Sequence, residues 1–212
     1  MSEPQGAPSF EYLSPKGEAK AEVKEQGSRF LAFLAPARSP EEALAHLGLL
    51  KRRYHDATHH CWAYRVGWAE SLAERASDAG EPSRTAGPPI LAALQERRIS
   101  DACLVVVRYF GGVKLGTGGL ARAYRAAARA ALEGADLSRV ELASEWEVTL
   151  PYPAQGELRR SCSKGGVEWL EEAYGERLRV RLRVPLRGAA AFESALCDLR
   201  EAWKGEVQWK SK

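Results

Sequence analysis

Asparagine is absent from this 212-residue chain and methionine occurs once. Arginine greatly exceeds lysine, a bias that fits a hot habitat or a GC-rich genome. The four cysteines, Cys61, Cys103, Cys162 and Cys197, include no Cys-x-x-Cys pair, and the opening MSEPQGAPSF has neither a basic start nor an apolar run. Reduced thiols and a cytoplasmic location are expected. No stretch approaches the roughly 18 apolar residues of a membrane span, so no membrane partner is expected. A dominant charge is missing too. Residues up to and including Arg139 hold 19 Lys and Arg against 16 Asp and Glu, the remainder 12 against 12, together the 31 and 28 of the chain. Binding to a polyanion would therefore depend on local patches.

The longest β-branched run, Val105 to Val107, leads into five glycines in nine residues (Gly111, Gly112, Gly116, Gly118, Gly119) and then an Ala-rich stretch free of Gly and Pro until Gly134. This reads as strand, glycine loop and helix. Such glycines serve positive φ or close approach, and a helix start favours an anion, so the loop suits either phosphate or tight packing under a second layer. It is not a Walker loop, because Lys114 precedes Gly116 and no Lys-Ser/Thr pair follows. Gly116, Gly118 and Ala121 imitate a dinucleotide fingerprint but stand too far from the strand. On the helix, Arg122, Arg125 and Arg129 share one face, while Leu120, Tyr124, Ala128 and Leu132 face inward.

Upstream, alternation at Ala19 to Lys24 and the apolar Arg29 to Ala35 predict a hairpin. Ser39 caps a helix through about Arg53, with Pro40, Glu41 and Glu42 in its first turn and Leu44, Leu47 and Leu50 inward. HDATH imitates a zinc-protease helix, but strand formers start at His59, so His55 and His59 cannot share a helical face and no metal is expected. Residues 77 to 91, SDAGEPSRTAGPPIL, form a loop that launches a helix from about Pro88 to Arg98. Asp78 and Glu81 could pair as acid and base, or simply hold backbone N–H groups, as could Ser83 and Thr85.

RYFGGVKLGTGGLARAY resembles the signature of the Impact/YigZ family. The loop carrying Ser77, Asp78, Gly80, Glu81, Pro82, Ser83, Thr85, Ala86 and Gly87 resembles a second family motif, and Ala57, His59, Ala63 and Tyr64 fit its pattern. Two positions depart, with Ala79 where an acid is usual and Arg84 where glycine is usual. The resemblance spans nearly the whole chain. It implies a first domain like the second domain of ribosomal protein S5 and a tail like the last domain of elongation factor G. It also implies a link to translation and nucleic acid, since eukaryotic relatives regulate translation in amino-acid starvation.

After the link ADLSRVELAS, strands at Glu145 to Leu150, Val167 to Glu172, Arg177 to Val184 and Glu206 to Lys210 alternate with helices at Ala154 to Lys164 and Ala189 to Trp203. This βαββαβ order is ferredoxin-like. Arg177, Arg179, Arg181 and Arg183 point to one side of the third strand, where related modules receive RNA, although Glu171 or Glu172 and Glu206 could pair with them. Trp169 and Trp209 could stack on bases or join the core.

The expected fold is thus α/β (α+β) in two domains, 10 to 137 and 141 to 212. Two function classes stay open, a binding factor first and an enzyme or sensor as the alternative. In the first, the chain binds RNA or the ribosome through Arg122, Arg125, Arg129, Arg177, Arg179, Arg181 and Arg183. In the second, a small phosphate-containing ligand occupies a cleft drawn from His59, Asp78, Glu81, Ser83, Thr85, Arg108, Lys114, Gly116, Thr117, Gly118 and Gly119. No catalytic residue and no cofactor are assigned, and the oligomeric state stays open.

Overall fold

The computed structural model describes residues 10 to 211, and the chain divides into two compact units between Val140 and Glu141. The fold mixes sheets and helices in both.

The first unit, Tyr12–Val140, contains β1 (Glu11–Pro15), β2 (Ala19–Glu25), β3 (Ser28–Pro36), α1 (Pro40–Arg53), β4 (His59–Val66), β5 (Ala73–Ser77), α2 (Gly87–Glu96), β6 (Ala102–Tyr109), α3 (Gly116–Glu133) and β7 (Leu137–Glu141). Five strands form one antiparallel sheet in the order β2-β3-β6-β4-β5. β6 lies at its centre and is apolar on both sides because both sides are covered. Leu104 and Val106 face α2 and α3 with Phe30, Ile90 and Tyr124. Val105 and Val107 face α1 with Leu47, Leu50, Trp62 and Tyr64. Burying each Val or Leu side chain contributes about 1.5–3 kcal/mol.

The hairpin β2-β3 forms as its alternation predicts, with Ala19 opposite Leu34 and Glu25 opposite Ser28. In α1, Ser39 Oγ accepts from the Glu42 amide at 3.2 Å, Pro40 opens the helix, and Lys51, Arg52 and Arg53 close it against the dipole. One expectation fails. Leu44 is 42% exposed, and Ala43 takes the inward place with Leu47 and Leu50. A lone helix on a sheet buries a narrow stripe, and spacings of four and three from Ala43 define it.

Three strands went unpredicted or misread. β1 and β7 pair as a two-stranded ribbon, although the sequence around β7 read as a link between domains. β5, AERAS, has few strand formers, and its pairing with β4 supplies the template. Tertiary pairing overrides weak local propensity in such cases. The glycine loop is also shorter than expected, because Gly116, Gly118 and Gly119 already belong to the first turn of α3.

The second unit comprises residues 10 and 11 with 141 to 211: β8 (Ala143–Leu150), α4 (Gln155–Lys164), β9 (Glu168–Tyr174), β10 (Leu178–Pro185), α5 (Ala189–Ala202) and β11 (Gln208–Ser211). The βαββαβ order is as predicted, and the antiparallel sheet runs β11-β8-β10-β9. Leu158 of α4 and Phe192 and Leu196 of α5 meet Val148, Leu150, Val180 and Leu182 in one core. Trp169 and Trp209 pack partly buried against it. Leu178, Val180 and Leu182 are buried while Arg179, Arg181 and Arg183 alternate outward.

Candidate functional site

The polar centre of the first unit is Glu81. Its carboxylate is only 3% exposed, and it accepts from Arg108 Nη1 at 2.7 Å and from the Tyr124 hydroxyl at 2.6 Å, both on Oε1. Three elements supply these groups: the loop after β5, the end of β6 and the third turn of α3. A buried carboxylate survives only when its charge and lone pairs are met. Arg108 is itself buried, and its Nη2 reaches Ser28 Oγ at 3.4 Å while Nε has no partner. The guanidinium lies between the Phe30 and Phe110 rings, 5.4 and 5.5 Å from their centroids.

His59 stands opposite Arg108 in the β4–β6 ladder. Its Nδ1 lies 3.0 Å from the Ala79 carbonyl, which can only accept, so Nδ1 carries the proton and donates. Nε2 then faces Glu81 Oε2 at 3.9 Å, beyond hydrogen-bond reach, with the imidazole 21% exposed. Two acceptors facing each other across this gap can be joined by a ligand that donates. Below them, Cys61 Sγ donates to the Asp78 carbonyl at 2.9 Å and lies 3.3 Å from the Tyr124 hydroxyl. Burial pushes the Cys61 thiol up to about 12 and outweighs the Tyr124 hydrogen bond. It therefore stays a thiol and is no nucleophile. Burial, followed by Cys61 and Glu81, also raises Tyr124, which stays a donor.

Asp78 holds the loop instead of facing a substrate. Its carboxylate accepts from the amides of Arg84 at 2.7 Å, Ala86 at 2.9 Å and Gly87 at 2.8 Å. Burial works against the charge, yet the amides of Ala86, Arg84, Gly87 and Thr85 together hold the carboxyl below its usual value. Thr85 Oγ1 turns inward to the Pro82 carbonyl at 2.6 Å, and Ser83 is exposed. A Cβ on Gly87 would sit 2.7 Å from the Ser77 amide nitrogen, so the loop closes on its own stem. Ala79 and Arg84 sit at φ of 45° and 65°. Arg84 therefore occupies a left-handed position that glycine fits better, which explains why glycine is usual there.

The glycine stretch divides into two parts with different tasks. Gly111 packs backbone to backbone against the β2-β3 turn, where a Cβ would lie 1.9 Å from the Gly27 carbonyl carbon. Its amide donates to Ser28 Oγ at 3.2 Å, the same oxygen that Arg108 reaches. The stretch and the 77 to 91 loop are thus joined through Ser28, Arg108 and Glu81. Lys114, Gly116, Thr117 and Gly118 lie outside this network, exposed at the start of α3. That start has no side-chain cap. Arg122 lies over it, with Nη1 3.5 Å from where a Gly118 Cβ would stand. Gly119 meets Leu115 and serves packing. Among the described residues, neither Lys114 nor Arg122 has an acidic partner. No group of three or more His, Cys, Asp or Glu among them could hold a metal ion.

Of the other arginines expected to bind nucleic acid, all but Arg179 pair with acids. Arg125 and Arg129 both pair with Glu96, at 2.9 and 2.7 Å. On the open face of the second unit, Arg177 pairs with Glu206, Arg181 with Glu145 and Glu171, and Arg183 with Glu168. Arg179 lies between Thr149 and Ala173 in the ladders and has no acidic partner among the described residues. The strand predicted as a basic surface is largely an ion-pair lattice.

Residues 26 to 132, which carry the Glu81 network and the glycine stretch, match the Impact N-terminal domain. The chain belongs to the Impact family. An Impact family member of Thermus thermophilus, described as lying in the pol 5′ region, is 44% identical over 176 residues, covering 82% of this chain and 94% of that protein. One from Haemophilus influenzae is 35% identical, covering 89% and 92%. Impact family member YigZ of Escherichia coli is 32% identical, covering 88% and 92%. A crystal structure described only as that of a hypothetical protein superposes with a TM-score of 0.64 at 28% identity, covering 95% of this chain and 97% of its own. Among the described residues of this Impact protein, no helix is long and apolar enough to cross a membrane.

Sequence reasoning found His59, Glu81 and Arg108 of the Glu81 network and read Tyr124 as inward-facing. It missed Ser28, the first residue of β3, 80 positions from Arg108, and Cys61, read only as one of four reduced cysteines. The stretch of glycines hinted at the Ser28 contact, because a backbone approach this close needs a partner backbone.

Proposed function

We propose that this Impact-family chain is a nucleic-acid- or ribosome-binding factor linked to the regulation of translation, and that it meets phosphate at the start of α3. One observation carries this reading. The helix begins uncapped, with Gly116, Thr117 and Gly118 exposed and with Lys114 and Arg122 beside it free of acidic partners among the described residues. Free amides and the helix dipole favour an anion there. Arg179, alone of the strand arginines without an acidic partner among the described residues, adds a secondary contact on the second unit.

The fold reading that accompanies this is an S5-like first unit and a ferredoxin-like second unit resembling the last domain of elongation factor G. The strand order β11-β8-β10-β9 with two helices in one core supports the latter. Both related folds occur on ribosomes or translation factors, and such a factor works in the cytoplasm. Salt-dependent binding of a short labelled RNA, compared between wild type and a Lys114→Glu, Arg122→Glu variant, tests the reading. Unchanged affinity in the variant would refute it.

A second reading has one observation in its favour. His59 Nε2 and Glu81 Oε2 face each other across 3.9 Å, a gap suited to a ligand group with two protons to donate, such as an amine, as an enzyme or sensor of small phosphorylated molecules would use.

A further inference from the structure

Donors and acceptors around Glu81 do not balance. Oε1 receives two hydrogen bonds, from Arg108 and Tyr124, whereas Oε2 receives none among the described residues. His59 Nε2 is in the same position, because the Ala79 carbonyl at 3.0 Å holds the ring proton on Nδ1. The imidazole is fixed against the loop, where a Cβ on Gly80 would stand 3.3 Å from Nδ1. The neighbouring donors are already used, the Cys61 thiol on the Asp78 carbonyl and the Tyr124 hydroxyl on Oε1. Oε2 and Nε2 are nonetheless open to solvent, unlike Arg108 Nε, which is sealed off. Buried polar groups are ordinarily matched, so two unmatched acceptors on one opening point to a ligand that donates twice.

The spacing says which donor fits. Between acceptors 3.9 Å apart, a nitrogen ~2.9 Å from each stands about 2 Å out from the line joining them, and its two bonds subtend about 85°. The tetrahedral N–H groups of an ammonium meet that angle with less bending than the trigonal pair of an amide, and a hydroxyl leaves one acceptor bare. Charge agrees. Cys61, below the opening, feels two acids, Asp78 and Glu81, against one cation, Arg108, which leaves one negative charge for a cation to meet. The Phe110 ring, 47% exposed and 5.5 Å from the Arg108 guanidinium, adds an apolar rim.

We propose that this cleft binds a small primary amine as its ammonium ion. One N–H meets Glu81 Oε2, a second meets His59 Nε2, and the apolar body of the ligand lies against Phe110. This rests on the ligand-cleft reading and names the ligand class; the RNA reading at the start of α3 is independent of it.

Isothermal titration of the full chain at neutral pH with benzylamine tests this, beside benzyltrimethylammonium, which keeps the charge and loses every N–H, and benzyl alcohol, which loses the charge and keeps one donor. Saturable binding of benzylamine is expected, with each of the others weaker by about 10-fold or more, as the loss of hydrogen bonds to a charged group gives. Glu81→Gln, which removes the charge and can turn a donor toward His59, should abolish binding. His59→Asn, which retains a donor for the Ala79 carbonyl and withdraws Nε2, should weaken it about 5- to 10-fold, and it keeps the test open should Glu81→Gln fail to fold. No saturable binding of benzylamine, equal binding of the three probes, or binding unmoved by a folded variant would each overturn the proposal. β-Glycerophosphate, a phosphorylated probe without an amine, separates it from the broader reading. If that probe binds wild type but not Glu81→Gln while benzylamine does not bind, the cleft stands and the amine falls; if neither binds, both fall.

Discussion

Glu81 and Arg108 meet at 2.7 Å with side chains only 3% and 6% exposed. One comes from an irregular loop and the other from the central strand, so this pair fixes the loop to the sheet. Removing either partner strands a buried charge, which costs about 3–5 kcal/mol. Arg108→Ala should therefore lower urea-unfolding stability by about that much. Arg29→Ala, which breaks an exposed and solvent-screened pair with Glu22 at 2.9 Å, should cost far less. Equal effects would show that the buried pair does not anchor the loop.

The Asp78 carboxylate should make loop stability depend on pH. Its folded pKa lies below the ordinary value, so its contribution is complete above the unfolded value of about 3.9 and fades as pH falls through the lower folded value. Wild type should thus exceed Asp78→Ala in stability by a constant margin at neutral pH, and the margin should shrink only below about pH 4. A margin that shrinks between pH 5 and 7 would contradict the assignment.

Arg84 at φ 65° holds a conformation that costs an L-residue roughly 1–2 kcal/mol, partly offset by the entropy glycine loses on folding. Arg84→Gly should raise stability by about 0.5–1 kcal/mol in thermal unfolding. A loss would mean that the side chain makes a contact outweighing the strain.

The glycines of the central stretch should respond in opposite ways. Gly111→Ala drives a Cβ into the Gly27 backbone and should destabilise by several kcal/mol, at the upper end for single substitutions. Gly118→Ala meets only the far end of the Arg122 side chain at 3.5 Å and should gain up to about 1 kcal/mol from helix propensity. Similar destabilisation by both would contradict the split into a packed turn and an exposed helix start.

Much of this fold was legible because the strong signals were local. The Val105 to Val107 run, the Ser39 cap and the β10 alternation each act over a few residues and need no distant partner. What escaped depended on distance along the chain. β1 and β7 pair across more than a hundred residues, and β5 is a strand only because β4 lies beside it. At the site, the family motif drew attention to His59, Asp78 and Glu81, yet residue type alone could not separate Asp78, which caps backbone amides, from Glu81, which is buried with Arg108. The basic surfaces were only partly legible, since pairing with Glu171 and Glu206 was expected and is present, whereas pairing with Glu145, Glu168 and Glu96 was not expected. Periodicity placed four arginines on one face of β10, but their meaning depends on Glu145, Glu168 and Glu171 on neighbouring strands, and Glu96 of α2 likewise takes Arg125 and Arg129.

The most direct test of the proposed function is the salt dependence of RNA binding. Fluorescence anisotropy with one short labelled RNA would compare wild type, a Lys114→Glu, Arg122→Glu variant and an Arg181→Glu, Arg183→Glu variant. Each phosphate contact contributes roughly 0.7 to 0.9 to the slope of log affinity against log salt. The account predicts weaker binding and a slope flatter by about one to two for the first variant, with little change for the second, whose arginines are already held by acids. The reverse order, or no binding by wild type to RNA or ribosomes, would contradict it.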